Sequence, residues 1–455
     1  MSMRRLPLIF LFYILATHRA LAFDGAGHAD PVAPVLVALL AILIVAKVGG
    51  EVFERLGQPA VLGELVGGVL LGNLVLLNSS WSFFEPLRAV VLQENWAVVI
   101  DSLARIGVII LLFQVGLESS VKGMMKVGMS SFVVAVLGVV APFILGFGVS
   151  MLFIEELPPD LATHVPASFS LNYMHMFVGA VLCATSVGIT ARVFKDLGKL
   201  KTKEAQIILG AAVIDDVLGL MILAVVSAII AAAMAAEPLE LGSLLRVIGT
   251  AVLFLGGSLA FGIYLTPKIM SQLARLRITG MKLVSALLFA FTLSYLSYAA
   301  GLAAIVGAFA AGLILEEVHF RKFREEVSVE HLLAPVATLL VPIFFVLMGI
   351  QVRLETFADL PVLGMAGGIT LAAIIGKQIC GLGLLEKGLD RLTVGIGMIP
   401  RGEVGLIFAS IGKSLNVIDD ATFSAMVIMV IVTTLITPPI LKLTLARWER
   451  KRGRG

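Results

Sequence analysis

"VGIGMIPRGEVGLIFAS" (Val394 to Ser410) is an apolar stretch interrupted at its centre. Pro400 removes a backbone donor, Gly402 and Gly405 loosen a helix, and Arg401 and Glu403 place ionisable groups beside them. Backbone broken in this way is tolerated at membrane depth only where protein or a water-filled cavity satisfies the freed groups. A second stretch, "VGAVLCATSVGITARVF" (Val178 to Phe194), repeats the theme more quietly, with Thr185, Ser186 and Gly188 supplying hydroxyls and flexibility. The composition sets both in a membrane. The chain has 455 residues, 59% of them hydrophobic and 14% charged, with a mean hydropathy of +1.03, whereas a soluble domain carries about 25% charged residues. The excess apolar surface is expected to face lipid. A net charge of +3, spread between apolar runs, gives no reason to expect nucleic acid as a partner.

Counting apolar runs predicts an all-α polytopic protein of thirteen spans. They lie near 32–50, 59–77, 102–117, 127–153, 172–191, 205–235, 243–265, 283–299, 301–315, 335–352, 360–383, 393–411 and 421–444. Ahead of them, "MSMRR", the apolar "LPLIFLFYILA" (Leu6 to Ala16) and "ALA" (Ala20 to Ala22) have the form of a secretory signal over 1–22. Cleavage would start the mature chain near Phe23, outside the cytoplasm, and thirteen crossings then put the C-terminus inside. Loop charges agree with that count. Inner loops carry Arg192, Lys195, Lys199, Lys201 and Lys203, then Lys268, Arg275, Arg277 and Lys282, then Arg321, Lys322 and Arg324. Outer loops such as "EELPPD" and "AAEPLEL" are acidic, which is the positive-inside pattern. The membrane domain is expected over 23–445, with a short basic tail at 446–455 and no soluble nucleotide-binding domain. Cys183 and Cys380 both lie in apolar segments at a spacing that fits no disulfide framework or metal motif, and read as small core residues.

The two interrupted spans are the fifth and the twelfth. A first repeat over 32–235, a linking helix over 243–265 and a second repeat over 283–444 would put them at equivalent places, running in opposite directions. Paired broken helices in an inverted repeat are the best sequence pointer to a transporter's binding site. Each half holds one more ionisable feature. "AAVIDDVLGL" places Asp215 and Asp216 in a run, Ala205 to Ala236, with no other ionisable residue, and "AAIIGKQICG" places Lys377 in the eleventh span. Adjacent helical residues point about 100° apart, so the two carboxylates must meet different partners.

Six motifs carry a resemblance: "LGQPAVLGELVGGVLLGN" (Leu56 to Asn73), "LLFQVGLE" (Leu111 to Glu118), "ATSVGITARV", "VIDDVLGL", "IIGK" and "PRGEVGLI". In this order they resemble the bacterial monovalent cation:proton antiporter-2 family, in particular its sodium/proton exchangers, over nearly the whole mature chain. Gln114 departs from the family's usual apolar residue. The resemblance implies a core of two crossing broken helices with a dimerisation domain, a homodimer in the bacterial inner membrane, and no cofactor beyond the transported Na+ and H+. It also implies that Asp216 is the transported-ion ligand and that Asp215 pairs with Lys377.

Na+ is a hard cation that wants oxygen ligands. Asp216, the hydroxyls of Thr185 or Ser186, unwound carbonyls and water can supply them. Desolvation disfavours the ionised form of a buried carboxylate, so such a group can hold either a proton or a sodium ion, and mutual exclusion of the two is antiport. A lysine released from its carboxylate when a cation arrives would add a second proton and make the exchange electrogenic. Arg401, Glu403, Pro400, Gly402 and Gly188 are expected to hold the broken helices. His175 reads as a histidine at a helix end, and the resemblance implies that Glu64, in the second span, lines the domain interface. A secondary transporter and not an enzyme is expected, because adjacent aspartates cannot face each other as a protease dyad must, and no HExxH or GxSxG motif occurs. Potassium/proton exchange stands as the alternative, since nothing in the sequence fixes cavity size. A cation channel would dissipate a gradient without moving protons.

Overall fold

The computed structural model describes residues 32–452 apart from 78–80, 89–93, 119–127, 236–248, 316–319, 324–326 and a scatter of single residues and pairs. The signal segment at 1–22, most of the linking helix at 243–265 and the charged stretch around 321–326 fall largely outside the described residues. Within them the chain is helical with no strand. The helices are α1 (Val32–Arg55), α2 (Ala60–Gly72), α3 (Asn95–Glu118), α4 (Met129–Phe153), α5 (Leu171–Cys183), α6 (Val187–Asp196), α7 (Lys203–Met234) and α8 (Thr266–Leu273). They continue with α9 (Met281–Ala299), α10 (Ala304–Ile314), α11 (Val329–Ile350), α12 (Leu360–Cys380), α13 (Arg391–Gly397), α14 (Gly402–Ser414) and α15 (Asp420–Arg452).

Among the described residues eight helices are long and apolar enough to cross a membrane, and four shorter apolar helices accompany them. The spans expected over 59–77 and 301–315 appear as the shorter helices α2 and α10, of 13 and 11 residues. The fifth and twelfth spans are each two short helices, α5 with α6 and α13 with α14, as the interruptions required. The last helix runs past the expected 444 to Arg452, so most of the basic tail is helical. Local chemistry fixes several starts: Thr202, Ser328 and Asp390 accept hydrogen bonds from the first-turn amides of α7, α11 and α13.

Contacts between helices divide them into two groups. α1, α2, α3, α9, α10 and α11 pack on one another as a scaffold, and α4 to α7 pack with α12 to α15 as a core. The pairings mirror each other across the two halves: α1 on α2 as α9 on α10, α2 on α11 as α10 on α3, and α7 on α4 as α15 on α12. That is the packing an inverted repeat demands. With no hydrophobic drive between helices in lipid, close contact relies on small residues. A Cβ at Gly312 of α10 would fall on the backbone of α3 at Phe113 and Gly116, so only glycine permits this crossing.

Candidate ion-binding site

The core group brings the two interruptions together. α5 stops at Cys183 and α6 starts at Val187, leaving Ala184 to Ser186 extended; α13 stops at Gly397 and α14 starts at Gly402, leaving 399–401 non-helical. A break strands amides and carbonyls that would each cost several kcal/mol unpaired in a dry interior. Each break here is satisfied largely by the other. The amide of Ser186 donates to the carbonyl of Pro400 at 2.8 Å. Thr190 Oγ1 donates to the Gly397 carbonyl at 2.6 Å. The two connecting peptides therefore cross in direct contact. Gly402 has φ +35°, and a Cβ there would overlap Ser186, so both the backbone conformation and the crossing require glycine.

Two buried cations complete the account. Lys377 Nζ on α12 donates to the Cys183 carbonyl at 2.9 Å and to Asp215 Oδ1 at 2.8 Å. The Arg401 guanidinium donates to the Ala184 carbonyl and, at 3.1 Å, to the Ala373 carbonyl of α12. Both charges thus sit at the C-terminal end of α5, where the helix dipole is negative. Lys377, Asp215 and Arg401 are each 0% exposed. A fully buried charge is held there only by a partner of opposite sign and by hydrogen bonds. Lys377–Asp215 meets both parts of that condition, whereas Arg401 has hydrogen bonds to two carbonyls and no carboxylate in direct contact among the described residues.

Asp216 lies one position on along α7, buried at 8% exposure and turned about 100° from Asp215. Thr185 and Ser186 are buried in the crossing at 1% exposure each. Thr185 Oγ1 and Asp215 Oδ2 are both buried without a hydrogen bond among the described residues. The expected residues are therefore assembled at one crossing, except that Gly188 stands inside α6 just beyond the break and the Glu403 side chain lies outside the described residues. No group of three or more His, Cys, Asp or Glu with metal-binding geometry occurs among the described residues. His175 is bonded to Ser150 at 2.9 Å and belongs to the α4–α5 contact. Glu64 is buried in α2 of the scaffold.

Four contributions had no sequence signal. The Cys183 and Ala184 carbonyls are such a case, because a backbone oxygen leaves no mark in a sequence. Thr190 lies inside α6, and a hydroxyl within a helix does not announce a partner more than two hundred positions away. Gly138 of α4 faces the ion pair so closely that a Cβ would sit 3.2 Å from Asp215 Oδ1 and 3.4 Å from Lys377 Nζ. Finally, a cavity of about 580 Å³ opens between scaffold and core, lined among others by Arg105 of α3, Ser227 of α7, Gln351 and Lys413. Ser227 is eleven residues from Asp216, about 16 Å along the helix axis. Leu220 and Leu223, both buried, lie on α7 between Asp216 and Ser227.

Comparison with known proteins adds three findings. The family profile described as sodium/hydrogen exchanger, transmembrane, matches residues 7–447. The high-affinity Na+/H+ antiporter NhaS3 of Synechocystis is 38% identical over 436 residues, 90% of this chain and 89% of that protein. The Na+/H+-K+ antiporter GerN of Bacillus cereus is 34% identical over 89% of this chain and 94% of its own. The solved structure of the sodium proton antiporter MjNhaP1 of Methanocaldococcus jannaschii superposes with a TM-score of 0.62 at 18% identity, covering 91% and 97% of the two chains, and shows the fold to be shared.

Proposed function

The chain belongs to the sodium/hydrogen exchanger family, and from that premise we propose that it is a secondary antiporter exchanging Na+ for H+ by alternating access, with Asp216 as the shared ligand. One observation carries the reading: a fully buried Lys377–Asp215 pair, 2.8 Å apart, stands at the crossing of two broken helices beside a second buried carboxylate. A structural ion pair needs neither the neighbouring carboxylate nor the crossing.

Asp216 holds a proton in one half-cycle and Na+ in the other. The hydroxyls of Thr185 and Ser186 complete the oxygen shell. When the cation draws on Asp215, Lys377 loses its counter-charge, and desolvation favours release of its proton. Two protons then leave for one sodium ion, and net charge crosses the membrane. The scaffold stands still while the core carries the site between the two sides, and the cavity between them is one of the two access routes. In the present arrangement Asp216 itself does not line that cavity, and buried Leu220 and Leu223 lie on α7 between it and Ser227. A homodimer in the bacterial inner membrane, with the mature N-terminus outside, belongs to the same reading.

Potassium has a specific claim as second substrate, because GerN, an antiporter of both Na+ and K+ by its description, is among the relatives. Proton flux in proteoliposomes, with Na+, Li+ and K+ offered in turn and the membrane potential clamped or free, tests both points. Na+-driven flux that slows when the potential is free to build up is expected. A rate that ignores the potential, with no accompanying current, would reduce Lys377–Asp215 to a brace.

A further inference from the structure

Lys377 reaches Asp215 against the face of a third helix. The lysine is on α12, the aspartate is on α7, and α4 packs against both. Gly376, beside Lys377, brings α12 onto α4, since a Cβ there would lie 2.8 Å from the Pro142 backbone. One turn before Pro142, inside α4, stands Gly138. A Cβ at Gly138 would have three nearest heavy atoms: Asp215 Oδ1 at 3.2 Å, Lys377 Nζ at 3.4 Å and Cys380 Sγ at 3.4 Å. The first two are the atoms that pair at 2.8 Å, so a methyl group would sit astride that bond. Both partners are 0% exposed and cannot lean away into solvent. Lys377 is also tied to the Cys183 carbonyl at 2.9 Å, which limits how far it can retreat. The other titratable or charged groups around the pair are Asp216 on α7, Arg401 ahead of α14, and the thiols Cys183 of α5 and Cys380 of α12. α4 contributes none. Glycine weakens a helix interior relative to alanine, and here the ion pair occupies the room a side chain would take.

We propose that Gly138 is a positioning residue of the exchange reaction: its missing side chain lets Lys377 close fully on Asp215, and the tightness of that pair sets the pH range in which Na+ can displace a proton. This rests on the reading that Lys377 gives up its proton when a cation draws on Asp215. In Gly138→Ala the methyl stands closer to Asp215 Oδ1 than ordinary contact allows, so the pair must give by a few tenths of an ångström. The consequence is Coulombic. At an effective dielectric constant of about 20, parting the two charges from 2.8 Å to about 3.2 Å moves a coupled protonation by about half a pH unit. The same loss changes a competing cation's half-saturating concentration about threefold. A lysine with a weaker counter-charge gives up its proton at lower pH. Na+ then displaces that proton more easily, and the acid limb of the transport profile moves down.

The test has a transport arm and a stability arm, with Gly148→Ala as control, because a Cβ at Gly148, further along α4, meets open space. In proteoliposomes the pH profile of Na+-driven proton flux is measured, together with the half-saturating Na+ concentration at the acid end of that profile. Gly138→Ala is expected to move the acid limb down by about half a unit and to lower the half-saturating Na+ concentration about threefold. Gly148→Ala should match wild type. A glycine that only served packing would change the maximal rate and leave both readouts in place, and that result would overturn the proposal. In detergent micelles, the unfolding of Gly138→Ala is compared with the same substitution made in the Asp215→Asn/Lys377→Met background. Destabilisation that largely disappears without the pair is expected. Destabilisation that persists there would place the clash in the packing of α4 and overturn the proposal, even should Gly138→Ala alone be too unstable for flux measurements. Wild-type protein without Na+-driven flux would instead overturn the antiport reading, on which the unfolding comparison does not depend.

Discussion

Replacing Lys377 by methionine removes one partner of an ion pair whose two side chains are both 0% exposed. The methylene stem is largely preserved, so packing changes little and the electrostatic loss dominates. Breaking a buried pair by removing one partner costs about 3–5 kcal/mol, because the remaining charge is uncompensated. Here a second loss adds to it. The ammonium also donates to the Cys183 carbonyl at 2.9 Å, and a buried carbonyl left without a donor costs about 1–3 kcal/mol. Asp215→Asn alone should cost a similar 3–5 kcal/mol, leaving a lysine with a carbonyl but no counter-charge. The double variant, Asp215→Asn with Lys377→Met, buries no uncompensated charge and should cost less than the sum of the singles by about 3 kcal/mol or more. Equilibrium unfolding of the purified protein in detergent micelles, run as a double-mutant cycle, reads this directly. Two single variants that each lose under about 1 kcal/mol, with additive effects, would refute a tightly coupled buried pair.

The Thr185→Ala/Ser186→Ala double variant should raise the half-saturating Na+ concentration severalfold and move the protonation midpoint of transport less; unchanged Na+ affinity in flux assays would make the break structural only. Gly402→Ala places a Cβ against Ser186 at a backbone φ of +35°, a strain of about 1–3 kcal/mol before any clash is relieved. Its melting temperature should fall, and a larger drop is expected than for Gly367→Ala, where a Cβ on α12 meets open space. Equal stability of those two variants would contradict the crossing geometry.

The fold was legible where the sequence broke a rule. Pro400 breaks the hydrogen-bond ladder of a helix and Gly402 weakens it, and Thr185–Ser186 loosen the matching span, so both interruptions are visible in the sequence alone. The contact between them was not. The bond from the Ser186 amide to the Pro400 carbonyl joins residues more than two hundred positions apart through backbone groups every residue has. Arg401 was legible as a structural partner of a break, but its acceptors are carbonyls of Ala184 and Ala373, which carry no side-chain signal. The aspartate pair and Lys377 stood out because charge in a long apolar run is costly and so needs a reason. Lys413 did not stand out, because it lies at a helix end where lysines are ordinary. Span lengths were the weakest reading: α2 and α10 are short helices of 13 and 11 residues that pack on α11 and α3, and hydropathy does not distinguish burial in protein from burial in lipid.

The central claim is that Asp216 alternates between a proton and a cation, and Asp216→Asn isolates it, since an amide keeps the size of the side chain and cannot make that exchange. Wild-type and variant protein reconstituted side by side, with Na+-driven proton flux followed by a pH-sensitive dye inside the vesicles, give the answer. The expected result is a folded variant of wild-type monodispersity with no Na+-driven proton movement. Flux at the wild-type rate in that variant would contradict the claim and move the site elsewhere in the molecule.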